Sequence, residues 1–246
     1  QAPLKDMQFL LENVFDATNT WQSMPDIAEM VDMDTAVAIL DEASKISRDL
    51  IQPINRNGDE QEVRHVDGKV ITPDGFKETY QQFSEGGWVG LCGEPDFGGM
   101  GMPKMLGVLV DEMNYSACNS FTLYSSLTAG AALCINAHAT DELKEKYLPN
   151  LYSGVWSGAM DMTEPQAGSD LRNIRTKAEP LDDGSYSISG SKIFITGGDH
   201  DLTENVIHLV LAKLPNSSGI SLFLVPKISV NDDGSLGKPN GVTVGS

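Results

Sequence analysis

The chain is poor in cations: 17 Lys plus Arg stand against 35 Asp plus Glu in 246 residues, a formal charge of −18. A field of that sign repels nucleic acid and anionic membrane surfaces and argues against both as partners. It still permits an anionic small ligand, because backbone N–H groups or one local cation are enough to hold it. Cysteine is also scarce. Cys92, Cys118 and Cys134 are odd in number and lack CxxC spacing. That argues against a disulfide framework or a zinc site and points to a reducing, cytoplasmic setting. No apolar run is long enough to cross a bilayer; the least polar stretch, LTAGAALCINAHA (127–139), reads as a buried helix. The chain starts at Gln1 with neither a basic n-region nor an apolar h-region, so no signal peptide is visible.

What remains is an ordinary globular composition, 40% apolar and 21% charged, long enough for a sizeable core and two domains. The first two-thirds read as helical. In DTAVAILDEASKISRDLIQPI (34–54), Val37, Leu40, Ala43, Ser47, Leu50, Ile51 and Ile54 share one face at 3.6-residue spacing, with Asp34 as N-cap. Further helices are predicted over 75–85, 104–118, 120–137 and 140–154, the last closed by Pro149. GGWVGLCGEPDFGGMGMP (86–103) must be a loop anchored by Trp88 and Leu91, and 57–68 a solvated loop. From Val155 the runs are short and β-rich. NVIHLVLAK (205–213) and ISLFLVP (220–226) read as strands, the second buried on both faces. DDGSYSISGSKIFITGG reads as two strands about a tight turn at 189–191. The expectation is an α+β chain with an all-α unit over 1–154 and a β unit over 155–246. The turn-rich end is read as stopping before the sheet is closed.

Two segments carry chemistry. If KIFIT (192–196) is a strand, Lys192, Phe194 and Thr196 face one way and Ile193 and Ile195 the other, toward the core. Phe194 and Thr196 then lie roughly 7 Å apart, a spacing that suits a flat aromatic ligand with a heteroatom near the hydroxyl. MTEPQAGSD (162–170) offers Thr163 at the end of a strand from Trp156. It also offers Gly168-Ser169 as successive N–H groups plus a hydroxyl, able to hold an anion without net positive charge. Each has a plain structural reading: Phe194 as core packing, and 162–170 as a turn with Thr163 and Asp170 capping and Pro165 fixing φ. In GGDHDLTENVIH, His200, Asp201, Glu204 and His208 lack any metal-ligand spacing, and His208 reads as a packed, hydrogen-bonded core histidine. Arg172, Arg175 and Lys177 read as a solvated strand edge.

Together and in this order, AMDMTEPQAGSD and KIFITGG resemble the flavin-binding signatures of the acyl-CoA dehydrogenase family. GWVGLCGEPDFGGMGMP and EKYLPNLYSGVWSGAM are similar to that family's glycine-rich loop and helix-to-β junction. APLKDMQFLLENVF resembles the N-terminal extension (1–33) of its longer subgroup, which includes enzymes for medium- or long-chain acyl-CoA and for methylthiopropanoyl-CoA. The resemblance implies an N-terminal helical domain and a middle β-domain, without the C-terminal helical bundle. It implies FAD as cofactor, an acyl-CoA substrate undergoing α,β-dehydrogenation, an electron-transfer flavoprotein as acceptor, and a homo-oligomer at full length.

Carried over residue by residue, the cofactor-binding set is Met160, Met162, Thr163, Gly168, Ser169, Phe194, Ile195 and Thr196. Thr163 would bind the pyrimidine edge of the flavin. Ser169 would meet the pyrophosphate and lie near the pantetheine arm of the substrate. Phe194, where Trp is frequent, would stack on the ring, and Thr196 would approach N5. Met160 stands where some members have an aromatic. Glu164 is not the base, because in the family that glutamate comes from the C-terminal helical domain; no catalytic residue is expected in this chain. The competing readings are an oxidase-like flavoenzyme using O₂ and a non-catalytic fragment that binds no flavin.

Overall fold

The computed structural model describes residues 2–245. Three short helices, α1 (Leu4–Phe9), α2 (Ala17–Gln22) and α3 (Pro25–Ala28), open the chain. Met7, Leu11, Ala17 and Trp21 from this region pack on Ala36, Leu40 and Ala43 of α4 (Met33–Ile46). Asp32, not Asp34, caps α4: its carboxylate accepts from the Thr35 N–H at 2.7 Å, satisfying a donor of the first turn. The predicted helix over 34–54 is helical throughout but not one helix. The α-ladder ends at Ile46, a wide turn covers Ser47–Ile51 and a 3₁₀ turn covers Gln52–Ile54, because Pro53 has no N–H to donate back.

The stretch read as a loop at 57–68 holds most of α5 (Asn55–Glu60) and the exposed strand β1 (Arg64–Val66), paired with β2 (Lys69–Ile71). α6 (Phe76–Glu85), α7 (Lys104–Ala117) and α8 (Asn119–His138) lie within a residue or two of expectation. α9 (Asp141–Tyr152) runs three residues past Pro149. The proline releases one carbonyl, that of Glu145, and burial of Leu148, Leu151 and Tyr152 holds the last turn in place. In the glycine-rich loop, Leu91 is buried and Trp88 packs beside Phe83. Bonds from the Met100 N–H to Gly90 O and from the Met102 N–H to Leu91 O, both 2.9 Å, close the loop on itself.

Among the described residues seven strands follow: β3 (Trp156–Asp161), β4 (Lys177–Pro180), β5 (Tyr186–Ser189), β6 (Asn205–Ala212), β7 (Ser221–Pro226), β8 (Ile228–Val230) and β9 (Leu236–Pro239). The main sheet has order β3-β6-β7, with β3 parallel and β7 antiparallel to β6; β4-β5 and β8-β9 are hairpins. Burial on both faces, expected of 220–226, belongs instead to β6, which has a neighbour on each side. β7 is paired on one edge among the described residues and is half-buried. α8 and α9 cover one face of the sheet, packing Ala131, Ala132, Leu148 and Leu151 on Trp156, Ile207 and Leu209. Contact is close enough that a Cβ on Gly158 would strike the Ala131 methyl, and the Gly158 N–H donates to Thr128 Oγ1 at 3.1 Å. No helix of the described residues is long and apolar enough to cross a membrane.

The strand expected over 192–196 does not form, nor does a tight hairpin turn at 189–191. Phe194 stands at φ 58° and Gly197 at φ 62°, left-handed angles that break an extended run. Exposure still alternates: Phe194 and Thr196 are exposed, but Ile193 and Ile195 are half-buried rather than buried. Lys192, expected on the face of Phe194 and Thr196, turns inward instead, its side chain 9% exposed.

Candidate functional site

The two sequence motifs meet through the backbone. Thr163 lies two residues past the end of β3, and its carbonyl accepts the Ile193 N–H at 2.9 Å. Beyond it, Glu164 and Ala167 exchange N–H···O bonds of 2.9 and 3.0 Å around Pro165 and Gln166, a tight closed turn.

Glu164 is the anchor of this turn. Its carboxylate accepts from five donors: the Gln166 amide (2.6 Å), the N–H groups of Arg175 (2.6 Å) and Thr176 (3.0 Å), the Thr176 hydroxyl (2.5 Å) and the Lys192 ammonium (2.9 Å). Burial alone would raise its pKa. The bonds from Thr176, Arg175 and Lys192 outweigh it and bring the group down to about 2. A carboxylate this saturated is no base at neutral pH. Lys192 is committed in turn, donating to Met162 O (3.1 Å) and Leu211 O (2.8 Å) as well as to Glu164. Three N–H donors meet three acceptors, so no donor of this ammonium remains for a ligand.

Around this fixed turn lie free donors. Among the described residues the Thr163 N–H and hydroxyl have no hydrogen-bond partner, nor do the N–H groups of Gly168 and Ser169 or the Ser169 hydroxyl. Gly168 and Ser169 are exposed. A Cβ at Gly168 would meet nothing within 4 Å, so this glycine is not there for lack of room. Phe194 is 88% exposed, the barest large apolar side chain among the described residues. Met162 is exposed; Met160 is half-buried on the helix-facing side of β3. No hydrogen bond joins Ser169, Phe194 or Thr196 to another member of the predicted set.

A cleft of about 1840 Å³ borders the site, with Ile193, Phe194 and Ile195 on its wall and Asp161 and His208 in its lining. Met160, Met162, Thr163, Gly168, Ser169 and Thr196 do not line it, so the predicted set is divided: Phe194 and Ile195 stand on the cleft wall, Met162, Gly168, Ser169 and Thr196 are exposed beside it, and Met160 packs toward the helices. His208 is indeed a packed core histidine: Nδ1 donates to Asp161 Oδ2 at 3.0 Å, while the buried Nε2 has no partner. His200 is buried too. Its Nδ1 accepts the Leu202 N–H (3.2 Å), so the proton sits on Nε2, which donates to Ser157 Oγ (2.9 Å). A nitrogen already carrying its proton cannot activate Ser157, which removes a Ser–His nucleophile from consideration. Burial lowers the His200 pKa from 6.5 to about 4. Asp201 accepts from the Thr72 hydroxyl at 2.8 Å, so Asp201, His200 and His208 each have separate partners.

Sequence reasoning named the outward residues and missed their supports, Lys192, Thr176 and Leu211. The available signal was a lone Lys in the otherwise uncharged run 184–198 and a lone Glu beside a Pro. Such residues are buried only when paired.

The sequence matches the acyl-CoA dehydrogenase N-terminal domain over residues 33–155 and the acyl-CoA dehydrogenase middle domain over residues 159–245. It is 41% identical to a 3-methylmercaptopropionyl-CoA dehydrogenase of Ruegeria pomeroyi over 98% of this chain and 41% of that protein. Among solved structures, butyryl-CoA dehydrogenase from Megasphaera elsdenii aligns with TM-score 0.61 and 26% identity, over 76% of this chain and 48% of that one. An acyl-CoA dehydrogenase from Bacillus anthracis, complexed with FAD, shares the fold with TM-score 0.66 and 23% identity, over 82% of this chain and 33% of that one. The chain thus spans about two fifths of the length of the curated relatives it matches. It belongs to the acyl-CoA dehydrogenase family, of which it carries the N-terminal and middle domains.

Proposed function

We propose that the surface formed by 162–169 and 193–196 binds FAD, and that the protein serves the α,β-dehydrogenation of an acyl-CoA thioester. One observation carries the reading: a rigid turn, saturated from behind, leaves its N–H and hydroxyl donors unpartnered beside an aromatic ring that is almost fully exposed. Bound FAD supplies the hydride acceptor for the reaction. On this reading the Thr163 N–H and hydroxyl meet acceptors of the flavin's pyrimidine ring. Gly168 and Ser169 offer N–H groups to the pyrophosphate, a way of holding an anion that suits an acidic protein. Ser169 also reaches the pantetheine arm. Phe194 stacks on the ring, Met160, Met162 and Ile195 line it, and the Thr196 hydroxyl approaches N5.

We place no catalytic base among the acids of 161–170. Asp161 is engaged by His208, Glu164 by its five donors, and Asp170 by Arg172 and Asn173. We divide the helical and β units near residue 155, assign electron transfer to an electron-transfer flavoprotein, and expect the full-length protein to be a homo-oligomer.

The test is flavin fluorescence. The 246-residue chain should quench FAD with a weak affinity, on the order of 1 mM, equivalent to about 4 kcal/mol of binding. Phe194→Ala should weaken the response to FAD, because it removes the ring's stacking area. Unchanged FAD emission at millimolar wild-type protein would remove the reading.

A further inference from the structure

Met162 O and the Thr163 N–H belong to one peptide unit. In a trans peptide these two groups point in opposite directions, so fixing the oxygen fixes the N–H. Lys192 Nζ donates to that oxygen at 3.1 Å. The next peptide unit is held as well, its oxygen on Thr163 accepting the Ile193 N–H at 2.9 Å. Both peptide units flanking Thr163 are therefore tied to consecutive residues of the second motif. The ammonium is itself immobilised by Glu164 Oε1 at 2.9 Å and by Leu211 O of β6 at 2.8 Å, with side-chain exposures of 9% for Lys192 and 3% for Glu164.

We propose that Lys192 is a positioning residue for the flavin: through Met162 O it aims the Thr163 N–H outward and strengthens it as a donor to a ring carbonyl or ring nitrogen. A cation on the carbonyl of a peptide draws electron density from the N–H at its other end, so the donor is polarised as well as oriented. Lys192 acts through the peptide and does not touch the ligand. The same ammonium joins the Thr163 turn to the central strand of the sheet, so the donor is referenced to the most buried strand of the β unit. The proposal rests on the reading of this surface as a flavin site.

Its test separates aim from mere charge balance. Lys192→Met alone leaves the Glu164 carboxylate without its cation and risks misfolding. The double variant Lys192→Met/Glu164→Gln removes both charges and keeps the fold testable. In ¹⁵N-labelled protein the double variant should exchange the Ile193 amide about tenfold faster, the effect of losing one hydrogen-bonded anchor, with Leu209 of β6 unchanged. The Thr163 amide proton should move upfield, and the FAD dissociation constant should rise about tenfold, or 1.4 kcal/mol. A folded double variant with wild-type Ile193 exchange and a wild-type Thr163 shift would overturn the proposal. If the wild-type protein shows no response to FAD, the flavin reading fails by itself, and the two amide measurements still decide whether Lys192 aims this peptide.

Discussion

Glu164 Oε1 and Lys192 Nζ lie 2.9 Å apart, 28 residues distant in sequence and both almost wholly buried. They are the charged joint between the two motifs. Truncating one member of such a pair leaves the other charge buried and unpaired. Glu164→Ala should therefore destabilise the chain by about 3–5 kcal/mol, since the Arg175 and Thr176 donors lose their acceptor and Lys192 loses its counter-charge. Urea unfolding monitored by circular dichroism would check this, as a lowered midpoint at unchanged slope. A loss under about 1 kcal/mol would put the pair in the class of exposed ion pairs.

Acid should act in two stages. His200 stays neutral when folded, with its pKa lowered from 6.5 to about 4, so the unfolded chain takes up its proton first. Its contribution is present above pH 6.5 and is lost as pH falls from 6.5 toward 4, with a slope of up to about 1.4 kcal/mol per pH unit. Glu164 has its pKa lowered from 4.5 to about 2, so its contribution is present above 4.5 and is lost between 4.5 and 2. Thermal melts across this range should show both windows, and His200→Gln should flatten the upper one alone. A wild-type melting temperature that stays level from pH 6.5 to 4 would contradict the buried, neutral assignment of His200.

Phe194 combines a left-handed backbone with near-complete exposure, a costly arrangement for an aromatic residue. Phe194→Gly should raise stability by about 1 kcal/mol, because glycine adopts this angle without the Cβ penalty. The same change should weaken FAD binding. Opposite signs in a melting experiment and a flavin titration would mark a residue kept for its ligand rather than its fold. Destabilisation by the glycine would instead show that the ring packs on the protein.

Two glycines near the site should behave differently. A Cβ on Gly190 would lie 2.7 Å from Thr176 Cβ and 2.8 Å from its Cα, against the residue that braces Glu164. Gly190→Ala should cost about 1–3 kcal/mol by overpacking. Gly168→Ala meets nothing and should change the unfolding midpoint little. Equal midpoints for the two variants would contradict the packing described around Thr176.

The helices α4 and α6 to α9 and the three strands of the main sheet were legible from their apolar patterns, whereas α1, α2 and α3 were not marked out as helices and α5 was read as part of a solvated loop. α6, with its apolar residues on one helical face, and β6, a nearly continuous apolar run, are the clearest cases. Departures occurred where one residue overrides the pattern: Pro53 divides the helix after α4, while burial of Leu151 and Tyr152 carries α9 past Pro149. KIFIT has a strand's alternation, but it is tied to the neighbouring motif by the Lys192 side chain and one backbone bond, and then turns at Phe194. Sequence periodicity carries no signal for a long-range bond between a side chain and a carbonyl. For the same reason, the outward donors Thr163 and Ser169 were nameable from their motif, whereas the ammonium that fixes Thr163 was not.

The central claim is that residues 162–169 and 193–196 form one surface for FAD. Amide chemical-shift mapping tests it most directly, because it reads weak binding residue by residue. Titrating ¹⁵N-labelled chain with FAD to millimolar concentration should shift the amides of Thr163, Gly168, Ser169, Phe194 and Thr196 together, with one common saturation curve. Amides of α4, remote in the fold, should stay still. Shifts confined to one of the two segments, or spread over the helical residues while Thr163 and Phe194 remain unmoved, would contradict the claim.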